Sequence, residues 1–165
     1  DGDGVSNIAE YLLNTDPSDG SVTPTAVDSF VAQRMVDLGI LDGDQVAADD
    51  DADGDGVSNI AEILLNTDPS DGGEEPTSTG STTIEGNEFV LEFVRLMPEK
   101  TPAGISIVVQ SSSDLSPTSW TAVPDLESEL EPSADQSGIT SDYERLELRI
   151  DTTGDNCRFF RLSVQ

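Results

Sequence analysis

From about residue 84 to the end of the chain, apolar and polar residues alternate with a period of two. The clearest runs are EFVLEFVRLM (88–97), ISIVVQ (105–110), YERLELRID (143–151) and CRFFRLSVQ (157–165). Such alternation is typical of antiparallel strands with one buried face. Together with a short run near Trp120, these segments predict five to seven strands and an antiparallel β-sandwich over residues 84–165.

The first 72 residues show helical spacing instead. In TAVDSFVAQRMVDLG (25–39) the apolar residues recur every three or four positions, which predicts one amphipathic helix. The stripe consists of Val27, Phe30, Val31, Met35 and Leu38. Thr25 and Asp28 have the spacing of a capping box. Shorter segments around Ile8 and Ile60 predict two further helices that are too short to be stable without packing.

These patterns predict an α+β chain with two modules. We expect an all-α N-terminal module over residues 1–72 and the β-sandwich over residues 84–165. Residues 73–83, GEEPTSTGSTT, have the composition of a flexible linker.

The N-terminal region contains an internal repeat. DGDGVSNIAEYLLNTDPSDG (1–20) and DGDGVSNIAEILLNTDPSDG (53–72) are identical at 19 of 20 positions. The one difference is Tyr11 in the first copy and Ile63 in the second. A repeat of this length and composition indicates two copies of one functional unit.

The second copy has the spacing of an EF-hand calcium loop. Calcium prefers six to eight hard oxygen ligands, and a loop with carboxylates at alternate positions can surround the ion. Gly56 permits the tight turn at position 6. The predicted ligands at positions 1, 3, 5, 7, 9 and 12 are Asp51, Asp53, Asp55, Val57 (backbone carbonyl), Asn59 (directly or through water) and Glu62.

The first copy predicts a second, incomplete calcium site. Its ligands at positions 3, 5, 7, 9 and 12 are Asp1, Asp3, Val5, Asn7 and Glu10. Position 1 would fall before Asp1, so this site lacks that ligand in the present chain. Water, Asp42 or Asp44, or a carboxylate of another molecule would have to replace it, and the last option would make calcium an intermolecular bridge.

Composition narrows the possible functions. The formal net charge is −27, from 34 acidic and 7 basic residues, which argues against binding to nucleic acid or to anionic membranes. The absence of histidine removes imidazole bases. We also find no nucleophile beside a base and no phosphate-binding glycine loop, so we expect no enzymatic activity. The single Cys157 sits in an apolar run and is interpreted as a small buried side chain.

The sequence DADGDGVSNIAEILLNTDPSD (51–71) resembles the bacterial thrombospondin type 3 repeat, in which the pattern D-x-D-x-D-G-x-x-N-x-x-E precedes a short helix and TDP. The resemblance covers residues 1–20 and 49–72. It implies calcium binding in a secreted or cell-surface bacterial protein. We therefore expect an extracellular structural module of an adhesin or fibre-forming protein, with calcium as its cofactor and copies of itself as candidate partners.

Partner recognition is the alternative. Dockerins also carry two calcium loops joined by a helix, and they bind cohesins, but position 12 here is Glu rather than the usual dockerin Asp. Carbohydrate binding by the β-sandwich would need an aromatic platform. Trp120 and Tyr143 are the candidates for it, although both are better interpreted as core or rim residues.

Overall fold

The computed structural model describes residues 2–40, 45–74, 81–123, 130–153 and 159–165. The elements, in chain order, are α1 (Asn7–Leu12), α2 (Ala26–Asp37), α3 (Asn59–Leu65), β1 (Ser81–Glu85), β2 (Glu88–Leu96), β3 (Ile107–Ser112), β4 (Thr121–Ala122), β5 (Leu130–Pro132), β6 (Tyr143–Asp151) and β7 (Phe159–Val164). The chain divides into two compact units. One comprises Asp1–Ile63 and Thr67–Glu75, and the other comprises Leu64–Asn66 and Pro76–Gln165.

The predicted α+β class with an all-α N-terminal module is wrong. The structure is mainly β: of the residues that it describes, 28% lie in strands and only 17% in helices. The three helices are short, and loops and turns make up much of the first unit. The physical reason is that the acidic loops and the TDPSDG turns take up so much of residues 1–72 that the helices between them are too short to make an all-α module.

The second unit contains two antiparallel sheets. Their strand orders are β1-β2-β6-β5 and β4-β3-β7. The longest pairing joins β2 and β6, from Glu88 opposite Asp151 to Leu96 opposite Tyr143. Side chains from both sheets meet in one core, where Phe93 and Leu146 lie beside Ile107 and Leu162.

In the first unit, α2 begins at a well-formed cap. The Thr25 side chain accepts a hydrogen bond from the Asp28 backbone N–H at 3.0 Å. The Asp28 carboxylate in turn accepts one from the Ala48 N–H at 3.0 Å, which fixes the residues that lead into the second acidic loop. Val31 and Met35 of the predicted stripe are buried, but Leu38 is exposed because α2 ends before it.

None of the helices in the described ranges combines the length and the apolar character that a lipid bilayer would require.

Candidate metal centre

The second acidic loop folds around its own aspartates. Asp51 accepts hydrogen bonds from the backbone N–H groups of Gly54 at 2.8 Å and Gly56 at 2.9 Å. Asp53 accepts one from the N–H of Asp55, and Asp55 accepts one from the N–H of Val57. These turns bring one carboxylate oxygen from each of the three aspartates to within 4.8 Å of the others.

Glycine is required at the tightest point of this loop. Gly56 has φ +95°, a conformation that side chains with a β-carbon rarely adopt. The first copy has the same geometry, because Gly4 has φ +100°. The loop backbone is thus shaped by the glycine that the EF-hand spacing predicted.

Glu62 lies in the first turn of α3, directly after the loop. Its side chain is 0% exposed, and neither carboxylate oxygen has a hydrogen-bond partner. Burial, together with the charges of Asp53, Asp55, Asp51 and Asp68, raises its pKa from 4.5 to about 8. A buried carboxylate that accepts no hydrogen bond carries a large desolvation cost unless a cation or a proton neutralises it.

Two of the aspartates show the same deficit. The Oδ2 atoms of Asp53 and Asp55 are buried and accept no hydrogen bond. Burial also raises the pKa of Asp53. Buried carboxylate oxygens without donors fit a hard cation, because a metal ion would satisfy them together.

Asn59 has a different environment from the other predicted ligands. Its side-chain amide donates hydrogen bonds to the carbonyls of Gln45 and Ala47, both at 2.9 Å. Its Oδ1 accepts one from the N–H of Ala52 at 3.2 Å. The side chain therefore holds the chain that precedes the loop, and ligation by Asn59 or by the Val57 carbonyl stays a prediction.

The first copy is built in the same way as far as it is described. Asp3 accepts a hydrogen bond from the N–H of Val5 at 2.8 Å. Glu10 is 0% exposed, and both of its oxygens lack a partner. Asp1, Asp42 and Asp44, which entered the prediction of this site, lie outside the described residues.

The two copies differ in their surroundings. Ile60 and Ile63 of α3 are 4% and 2% exposed, whereas the equivalent Ile8 and Tyr11 of α1 are 44% and 78% exposed. The same short helix is therefore covered in the second copy and uncovered on one face in the first.

The segment after α3 also reaches the site, which the sequence analysis did not predict. A Cβ atom placed on Gly72 would lie 3.4 Å from the Asp55 Cβ and 3.6 Å from the Asp53 Cγ. One signal in the sequence could have shown this. The repeat continues through TDPSDG, well beyond the twelve residues that an EF-hand loop needs.

Trp120 and Tyr143, the two candidates for an aromatic platform, are both half-buried. Arg161 covers the Trp120 ring, with its guanidinium carbon 4.3 Å from the ring centroid. Tyr143 is half-buried at the start of β6. Cys157 lies outside the described residues.

No family model, curated protein or solved structure matches this chain.

Proposed function

We propose that this chain is a calcium-binding structural module of a bacterial surface, adhesin or fibre-forming protein, and that bound calcium stabilises its fold. The observation that supports this most directly is Glu62. It is fully buried without a hydrogen-bond partner, and the charges of Asp51, Asp53 and Asp55 act on it. Glu10 repeats this arrangement in the first copy.

Calcium suits this set of ligands better than other cations. All the clustered donor atoms are carboxylate oxygens, which favours calcium or magnesium over transition metals. Magnesium retains several waters and demands a strict octahedron, whereas calcium accepts six to eight oxygens in flexible geometry. A loop with three aspartates and a buried glutamate offers more oxygens than magnesium uses.

The extracellular setting rests on the resemblance to bacterial thrombospondin type 3 repeats. Calcium modules outside the cell bind at about 10⁻⁴–10⁻³ M, which suits a constant structural role. Calcium would then act as part of the fold rather than as a signal.

The test is thermal unfolding of the wild type, of Glu62→Gln and of Glu99→Gln, each with EGTA, with magnesium and with calcium. At free calcium about 100-fold above Kd, one site adds about 2.7 kcal/mol to the free energy of unfolding. Glu62→Gln should lose the part of the calcium-dependent stabilisation that comes from the second loop. Glu99→Gln is the matched control, because Glu99 is exposed and far from both loops in sequence. A wild-type melting temperature that calcium leaves unchanged would reject the proposal.

Recognition of a protein partner is the second candidate, and the uncovered face of α1 favours it. Ile8 and Tyr11 are apolar and exposed side by side on one short helix. A pull-down from the secreted proteins of the source bacterium, with the wild type and with Tyr11→Ser, would test it. A partner captured by the wild type and lost with Tyr11→Ser supports recognition by α1, and equal capture by both rejects it.

A further inference from the structure

Asn59, the first residue of α3, forms hydrogen bonds to the backbone on both sides of Asp51. Its own N–H donates to the Asp50 carbonyl at 2.8 Å. Its side-chain Oδ1 accepts a hydrogen bond from the Ala52 N–H at 3.2 Å. Asp51, the first residue of the acidic loop, is therefore held in place through both of its neighbours in the chain.

The amide of Asn59 has one orientation that satisfies its surroundings. Its nitrogen faces the carbonyls of Gln45 and Ala47, both at 2.9 Å. Carbonyl oxygens only accept hydrogen bonds, so the nitrogen must face them, and both of its N–H bonds are used. The side chain is also fully buried. Asn59 therefore acts as a donor toward these carbonyls, a role that a carboxylate cannot fill.

The segment of residues 45–50 that Asn59 holds is also fixed by two carboxylates. The Ala48 N–H donates to the Asp28 carboxylate of α2 at 3.0 Å. The Ala47 N–H donates to the Asp50 carboxylate at 2.9 Å. None of these hydrogen bonds involves a cation, so the backbone that leads into the acidic loop is in place before a cation binds.

These contacts differ from those expected of a ligand at position 9 of a calcium loop, which the spacing predicted for Asn59. The Oδ1 atom of Asn59 accepts the N–H of Ala52, and one lone pair of this oxygen is used in doing so. Asp51, by contrast, contributes an oxygen to the carboxylate cluster. Holding the backbone at Asp51 lowers the entropy that this carboxylate loses when a cation binds.

We propose that Asn59 is a positioning residue of the cation site, which fixes Asp51 through the two adjacent peptide groups and is not itself a ligand. This inference rests on the proposed function. The equivalent Asn7 of the first copy is exposed. Burial of this asparagine is therefore particular to the second site.

The substitution Asn59→Asp separates a donor from a ligand, because it keeps the size of the side chain and an acceptor oxygen but removes both N–H bonds. Calcium affinity depends on the number of charged ligands, and a carboxylate is a stronger ligand than an amide. A ligating residue 59 should therefore bind calcium at least as tightly in Asn59→Asp as in the wild type. Loss of a group that supports a metal ligand instead weakens binding by about 10- to 100-fold, which is the result we expect.

The experiment is calorimetric titration of the full chain with calcium, as wild type, Asn59→Asp and Asn87→Asp. A parallel series carries Glu10→Gln in every protein, so that the second loop is measured without the first. Asn87→Asp is the matched control, because it adds the same charge at an exposed residue between β1 and β2. Exposed charges are screened by salt, so we expect less than about a twofold change there.

All titrations are run at a temperature at which circular dichroism shows each calcium-free protein to be folded. A residue with a merely structural role would then lower the melting temperature and leave the Kd for calcium unchanged. A positioning residue changes the Kd as well.

A second measurement covers the case in which Asn59→Asp folds poorly. The luminescence lifetimes of bound europium in H2O and D2O count the waters on the ion, in the Glu10→Gln protein and in the same protein with Asn59→Ala. Loss of a ligating oxygen would let about one more water bind the ion. Loss of a positioning residue should leave the water count at saturating europium unchanged.

The possible results distinguish this inference from the proposed function. If the wild type takes up no calcium, the proposed function fails. If the wild type binds calcium and Asn59→Asp binds it equally or more tightly, the function stands and the positioning role is overturned. An added europium-bound water in Asn59→Ala would also overturn it, because Asn59 would then be a ligand.

Discussion

At the scale of single residues, the defining feature is the buried carboxylate of Glu62. Four oxygens of this loop are buried without a hydrogen-bond donor: Asp53 Oδ2, Asp55 Oδ2 and both carboxylate oxygens of Glu62. Without a cation, Glu62 avoids a buried negative charge by binding a proton, and its pKa is raised for this reason. Stability therefore depends on both pH and calcium through Glu62. A rise in pH removes its proton and lowers stability, whereas bound calcium raises stability.

The first prediction concerns pH. Glu62 has a pKa of about 8 in the folded, cation-free protein and 4.5 as its ordinary value. Between these values the folded chain binds more protons than the unfolded chain, so the contribution of Glu62 to stability is lost as pH rises from 4.5 to 8. In EGTA, the melting temperature of the wild type should fall more across this window than that of Glu62→Gln. Equal slopes for the two proteins would contradict the assignment.

At the scale of elements, α3 begins in a hydrogen-bond arrangement that the described residues do not repeat at α1. Asn59 is fully buried and binds the carbonyls of Gln45 and Ala47, and its own N–H donates to the Asp50 carbonyl at 2.8 Å. The equivalent Asn7 at the start of α1 is exposed. One residue type at one repeat position therefore has two structural roles.

The second prediction uses this pair. Asn59→Ala removes a fully buried side chain and its hydrogen bonds to the carbonyls of Gln45 and Ala47. Each of these groups that water does not then reach costs about 1–3 kcal/mol. Asn7→Ala alters an exposed side chain and should change the free energy of unfolding by less than about 0.5 kcal/mol. Urea denaturation in EGTA measures both values without the contribution of calcium. Equal losses would mean that the hydrogen bonds of Asn59 do not stabilise α3.

Most of the long strands and the helix α2 could be predicted from the sequence, but the fold class could not. Alternation placed the long strands, including β2 and β6, because each strand has one face toward the core. Helical spacing located α2 but extended its stripe to Leu38, which lies beyond the last helical turn. The cluster of Asp51, Asp53 and Asp55 followed from local spacing. The approach of Gly72 to Asp55 could not be predicted from local spacing, because it depends on the folded path of the chain.

At the scale of the whole molecule, negative charge is neutralised unequally along the chain. Arg34 is the only basic residue in positions 1–75. In the second unit, Arg149 alone pairs with Glu85, Glu88 and Glu147, at 2.8, 3.2 and 2.6 Å. A single basic residue cannot neutralise the acidic residues of positions 1–75, so the repulsion among them depends on ions in solution.

The third prediction concerns salt. Interactions between exposed charges are screened beyond about 10 Å at 0.1 M salt. Raising sodium chloride should therefore raise the melting temperature of the protein in EGTA, because it weakens the repulsion among the acidic residues. The same series at saturating calcium is the control and should show a smaller rise. A salt dependence that calcium leaves unchanged would show that the repulsion lies outside the two loops.

The single difference between the two copies lies at a position where their environments differ strongly. Ile63 is 2% exposed and Tyr11 is 78% exposed, and the other 19 positions are identical. In evolutionary terms, 19 identical positions out of 20 indicate that the pair arose by duplication of one segment. The nucleotide sequence of the gene can date this duplication. Near-identity at synonymous codon positions would mark it as recent. Many synonymous differences would mean that selection has preserved the acidic loop and the TDPSDG turn together.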